Sequence, residues 1–127
     1  MKKGLLIPLF VLAVILGFCV RNSAVMAERS ARWGEQIELA EQYAASGNWE
    51  GAARAVEDGY ADWSSCQTWL HCVTGHDAVD DAEAMYHRAL AFAKSEEDSE
   101  FRAETADLRA QLRLLAEMEE FSLRNIL

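Results

Sequence analysis

Between Cys66 and His87 lie the side chains best able to do chemistry: Cys66, Cys72, His76, Asp80, Glu83 and His87. His76, Asp80, Glu83 and His87 follow one another at spacings of four, three and four, and Cys72 precedes His76 by four. On a helix that began early, His76, Asp80, Glu83 and His87 would line one flank, and imidazole and carboxylate together can hold zinc or another divalent ion. The spacing nevertheless matches no Cys-x-x-Cys, His-Glu-x-x-His or Glu-x-x-His pattern. A polar helix flank with ordinary i,i+4 pairing accounts for it, and the expectation is no metal site and no cofactor.

Cys66 and Cys72 are the obvious redox pair. On one continuous helix a separation of six places them about 240° apart in angle and about 9 Å apart along the axis, which no disulfide spans. A bridge would require the helix to break between them. Hydrolytic chemistry finds less support still. Ser64 and Ser65 lack a nucleophile elbow or a glycine-framed loop. Asp80-Asp81 and Glu119-Glu120 are sequence neighbours that diverge on a helix, and no phosphate-cradling loop occurs. The expectation is a protein that is not an enzyme. Trp69 lies off the main apolar stripe of its helix, and aromatic residues are enriched at interface centres, so it is the candidate partner contact.

The elements that position these residues begin with an uncharged run, Gly4–Val20, preceded by Lys2 and Lys3 and closed by Arg21. As a helix it spans about 26 Å at about 1.5 Å per residue. That is slightly short of a hydrocarbon core of about 30 Å, a deficit that local thinning and snorkelling of Lys3 and Arg21 can cover. Pro8 can bend such a helix without ending it. A cleaved signal peptide would have a shorter apolar region; Val25-Met26-Ala27 resembles its cleavage site, but Arg21 and Asn22 intervene. Lipidation at Cys19 meets the bulky Phe18 where a small residue is required. An uncleaved signal-anchor is the favoured reading, with residues 1–3 as a cytoplasmic tail, 4–21 in the cell membrane and 22–127 outside it. The basic residues flanking the run are nearly balanced; the very short tail favours that orientation.

All 21 Asp and Glu but only nine of the 12 Lys and Arg lie from Glu28 onward, giving this part a formal charge of −12. Such a surface repels phosphate backbones, which argues against nucleic acid. After Pro8 there is no proline, strong helix formers dominate, and no alternating strand pattern extends beyond a few residues. The fold class is all-α: an N-terminal transmembrane helix followed by an antiparallel bundle, or stacked hairpins, of about four helices.

The helices declare themselves by apolar spacing. Trp33, Ile37, Ala40 and Ala44 mark the first exported face. Gly47 suits the left-handed position after a helix end, and Asn48 suits the next cap. Trp49, Ala52, Ala53, Val56, Tyr60, Trp63, Leu70 and Val73 then predict a second helix of about 25 residues, weakened locally at Gly59. A third, from near Asp77, turns Val79, Ala82, Tyr86, Leu90 and Ala93 inward. A polar connection at 95–99 leads to a fourth with Phe101, Thr105, Leu108, Leu112, Leu115 and Met118 inward, widened by Leu114 and Phe121. Ala40, Tyr43, Ala44, Gly47, Ala52 and Ala53 faintly resemble a tetratricopeptide-type hairpin, but no second full copy of that pattern follows.

Lys2-Lys3, Trp49, Trp63, Trp69, His76 and the closing Ser122-Leu123-Arg124-Asn125-Ile126-Leu127 together resemble domain of unknown function family 4363, over essentially the whole chain. The resemblance implies a single-pass membrane protein of a bacterium of Gram-positive type, with no established activity. It also implies an accessory role beside a polytopic membrane protein. The partners expected are therefore membrane lipid along residues 4–21 and either such a protein or a second copy. The runner-up is a metal- or redox-responsive sensor at Cys72 and His76; a secreted domain after cleavage is the remaining one.

Overall fold

The computed structural model describes residues 2–68, 70 and 75–126, with the side chains of residues 2, 22, 23, 119 and 122–126 left aside. Trp69, Cys72 and Val73, singled out from the sequence, lie outside the described residues. Four helices account for nearly all of the rest: α1 (Lys2–Ala45), α2 (Trp49–Ser64), α3 (His76–Lys94) and α4 (Asp98–Ile126). Each packs on the next, and α4 closes the ring against α1. The result is an antiparallel four-helix bundle.

The polarity boundary at Arg21 is not a backbone boundary. α1 runs unbroken for 44 residues, about 66 Å at about 1.5 Å per residue, because no glycine pair or proline interrupts it after Pro8. Its two halves have different surroundings. From Lys3 to Arg21 no described residue is buried, whereas Met26, Trp33, Ile37, Ala40 and Ala44 all enter the core. Those five recur at spacings of seven, four, three and four, the seam of a helix packed lengthwise on neighbours. Met26, only 5% exposed, extends the seam one heptad beyond the face that starts at Trp33.

The turns follow from local chemistry. After α1 the N–H of Gly47 donates to the carbonyl of Ala44 and that of Asn48 to Tyr43, at 3.0 and 2.8 Å. Gly47 sits at φ +82°, the left-handed conformation such a helix end uses. Asn48 Oδ1 then accepts from the N–H of Gly51 at 2.9 Å, capping α2. The turn after α3 repeats this construction: Glu96 N–H donates to Ala93 and Glu97 N–H to Phe92, at 3.2 and 3.0 Å. There the left-handed position is held by Glu96, at φ +56°. For an L-residue with a Cβ that conformation costs about 1–2 kcal/mol. Glu96→Gly is therefore expected to stabilise the bundle by about 0.5–1 kcal/mol, the remainder being offset by the freer unfolded chain. A rise in thermal midpoint of a few degrees in calorimetry checks it.

The correspondence extends along both hairpins. Ile37, Ala40 and Ala44 of the first match Tyr86, Ala89 and Ala93 of the second at one constant offset in the chain. Beyond the turn, Ala52, Val56 and Trp63 match Phe101, Thr105 and Leu112 at the same offset, and all twelve are buried. The hairpins thus share a burial pattern while differing in residue size, which conceals it in the sequence.

Two expectations are corrected. The second helix does not reach Val73 as one rod; it ends at Ser64. Ser64 Oγ and Ser65 Oγ donate to the carbonyls of Ala61 and Asp62, at 3.1 and 2.6 Å. These bonds draw on acceptors of the helix's own ladder. The N–H of Cys66 turns to Trp63 O, three residues back, and Leu70 N–H then returns to the helical partner Cys66 O. Among the described residues the break therefore falls at Ser65 and Cys66. The other correction concerns α4. Leu114 and Phe121 do not widen the core stripe; they are 44% and 64% exposed, while Phe101, Thr105, Leu108, Leu112 and Leu115 are buried. Leu114 lies about 100° round the helix from Leu115, outside the arc that α1 and α3 cover. On α3 the inward residue after Tyr86 is Ala89, with Leu90 half-buried against the same core.

Candidate functional site

The chemistry-bearing residues gather at the bundle end nearest the apolar half of α1, where α2 finishes. A small cavity of about 160 Å³ opens there, lined by Arg29, Arg32, Trp33, Asp62, Ser65 and Cys66. The break at Ser65 brings Cys66 against α1, where Arg29 Nη1 lies 2.6 Å from its Sγ. The thiol is free and only 5% exposed. Gln36 Nε2 donates to Asp62 Oδ2 at 2.7 Å on the same side. Ser65 commits its hydroxyl proton to a backbone carbonyl, so it is not set up as a nucleophile.

One turn deeper the core is aromatic. Trp63 and Tyr86 pack tilted with centroids 5.3 Å apart, and Tyr60 meets Tyr86 edge-on at 5.6 Å. Trp63 Nε1, Tyr86 OH and Gln36 Oε1 are buried with no hydrogen-bond partner. Gly59 faces this cluster. A Cβ there would stand 3.5 Å from Gln36 Oε1 and 3.7 Å from Tyr86 Cε1, ordinary contact distances, so the space admits a methyl group. Gly59→Ala is accordingly expected to raise stability by about 1 kcal/mol through helix propensity, read from the urea midpoint at unchanged slope.

Burial first, and the negative charge of Asp62 second, push the Tyr86 phenol well above its ordinary 10.0. Tyr60 is raised too, chiefly by its hydrogen bond to Glu83, then by burial and the Glu83 charge. Both shifts favour the neutral phenol in the folded chain. Their contribution to stability is fully present below pH about 10 and falls as pH rises beyond it, where the unfolded phenols ionise first. Tyr86→Phe should therefore unfold at higher pH than the parent in an alkaline titration followed by circular dichroism. It should cost little at neutral pH, because the hydroxyl it removes is unpaired.

The flank weighed as a metal site in the sequence has other engagements. Glu83 accepts from Tyr60 OH at 2.9 Å and from Gln67 Nε2 at 3.4 Å. His87 packs on the Tyr60 ring with centroids 5.0 Å apart. His76 opens α3 and has a partner of its own. Among the described residues, His76, Asp80, Glu83 and His87 included, no three of His, Cys, Asp and Glu converge to hold a metal ion. The structure instead brings together pairs that local spacing does not reveal. Arg29 with Cys66 and Gln36 with Asp62 join α1 to the end of α2. Arg109 Nε meets Glu41 Oε1 at 3.1 Å, and its Nη1 meets Glu38 Oε1 at 3.5 Å, joining α4 to α1.

Fold and site together define a class: a helical bundle that grows out of one long helix whose first half is apolar, exposed and long enough to cross a membrane. The family model described as Domain of unknown function (DUF4363) matches residues 23–126. The chain belongs to that family. No curated protein and no solved structure matches it.

Proposed function

We propose that the protein is a non-enzymatic, membrane-anchored helical module that acts through a membrane partner. Residues 1–3 lie in the cytoplasm, residues 4–21 cross the cell membrane once, and the acidic bundle stands outside. The observation that carries this reading is α1 itself: one 44-residue helix with an exposed apolar half and a half that forms one wall of the bundle. Exposed leucines, isoleucines, valines and phenylalanines in such density exceed what a soluble monomer tolerates. Cleavage after Ala27 would cut α1 inside its packed seam and remove Met26 from the core, which argues for retention of the anchor. The commitment of Glu83, His87 and Ser65 to structural contacts supports a role without catalysis.

The partner is a polytopic membrane protein or a second copy of this chain. Crosslinking in intact membranes followed by mass spectrometry is expected to return one recurrent neighbour. A monomer with no neighbour above background would overturn the accessory role. Recovery of the chain from the medium, beginning near Glu28, would overturn the anchor.

A further inference from the structure

We propose that the C-terminal end of α4 is a second membrane contact, seated in the headgroup layer of the bilayer that α1 crosses. The inference rests on the anchored reading above and adds to it a surface that holds the bundle against the lipid.

The register of α4 against α1 carries the last turns toward the bilayer. α1 and α4 are antiparallel neighbours, fixed by Arg109 against Glu38 and Glu41 and by Leu112 and Arg113 facing Ala27, Ala31 and Gly34 across a shallow groove. Both helices rise about 1.5 Å per residue. Counting equally along each from the Arg109 clamp, Phe121 falls level with residues 26–29 of α1 and Ile126 level with residues 21–24. The uncharged run of α1 ends at Val20. A hydrocarbon core of about 30 Å takes up about twenty helical residues, and the interfacial layer adds about 5–7 Å on each side. The last turns of α4 therefore descend into that layer.

Two further observations agree. Phe121 is a large apolar side chain left 64% exposed. The acidic residues also stop at this level: Glu117, Glu119 and Glu120 are the last, and from Phe121 to the end the only charged side chain is Arg124. With no acidic side chain in residues 121–127, this end is repelled by anionic headgroups less than the rest of the acidic bundle is. Arg21 supplies a second cation at nearly the same height.

The test uses the isotope-labelled full chain in nanodiscs of phosphatidylcholine and phosphatidylglycerol carrying a lipid spin-labelled near its headgroup. Amides of the anchor and of residues 121–126 are expected to broaden, at least twofold beyond those of the distal turns at 46–48 and 95–97. Phe121→Glu should remove the broadening at 121–126 while leaving the anchor signals and the thermal midpoint unchanged. Broadening of the anchor alone would overturn the second contact and leave the anchor standing. Broadening of neither would overturn both. Intermolecular magnetisation transfer to Phe121 in place of lipid broadening would assign the face to a protein neighbour and likewise overturn the proposal.

Discussion

Replacing Trp63 by alanine is expected to lower the unfolding free energy of the bundle by about 3–5 kcal/mol. The side chain is fully buried at the centre of the aromatic cluster, tilted against both Tyr86 and Tyr60, with centroids 5.3 and 6.1 Å apart. Removing the indole leaves a void that neighbours on three helices cannot close without abandoning their rotamers. A domain of this size is stable by only about 5–15 kcal/mol, so the loss takes a large share of the total. Trp63→Phe separates the two contributions. It keeps an aromatic ring in the stack and removes an indole N–H that has no acceptor, so its cost should be well under half that of alanine. Urea titrations of both variants, followed by far-ultraviolet circular dichroism, give the comparison. Equal losses for both would show that the indole N–H is bonded in solution, through water for instance.

Two arginines in the apolar run, Leu12→Arg with Ile15→Arg, are expected to abolish membrane association. Near the centre of a spanning helix each arginine costs about 2.5–3.5 kcal/mol, and each aliphatic side chain lost removes about 0.3–0.6 more, so the pair costs about 6–8 kcal/mol. The apolar residues from Leu5 to Val20 together favour insertion by only about 4–7 kcal/mol on the same scale. The penalty therefore cancels or exceeds the driving force. Carbonate-washed membranes should lose the double variant and keep the parent. The bundle should remain folded, because its core on α1 begins at Met26, well beyond the altered positions. Retention of the variant in the membrane fraction would mean that something other than residues 4–21 holds the chain there.

The two predictions probe different physics on two helices, packing on α2 and membrane transfer on α1. Trp63 reports packing that many side chains share, which is why a single truncation is felt across three helices. The proposed anchor would depend on a sum of independent transfer energies, so one substitution is expected to weaken it and two to eliminate it.

Much of this architecture was legible in the residue order because helical periodicity is a local property. Trp33, Ile37, Ala40 and Ala44 share a face whatever they pack against, and Phe101, Leu108, Leu112 and Leu115 do so on α4. Gly47 and Asn48 announced their turn through the backbone conformation the one permits and the hydrogen bond the other accepts. The membrane-length run of α1 needed only a count of uncharged residues.

Tertiary structure decided what depends on neighbours. Whether Leu114 and Phe121 were core or surface turned on where α1 and α3 come to lie, and the spacing alone allowed either. The continuity of α1 across Arg21 was hidden because a change of polarity resembles a change of element. The end of α2 at Ser64 came from hydroxyl groups competing for backbone carbonyls, a contest that the apolar rhythm of Trp63 and Leu70 did not register. Glu96 in a left-handed turn was likewise invisible: glutamate is a poor residue for that conformation, and only the closure of the second hairpin places it there. Arg29 with Cys66, Gln36 with Asp62 and Arg109 with Glu41 pair residues distant in the chain, and no local rule encodes such a meeting. Apolar spacing settled which faces must be hidden; the packing of four helices settled which of them could be.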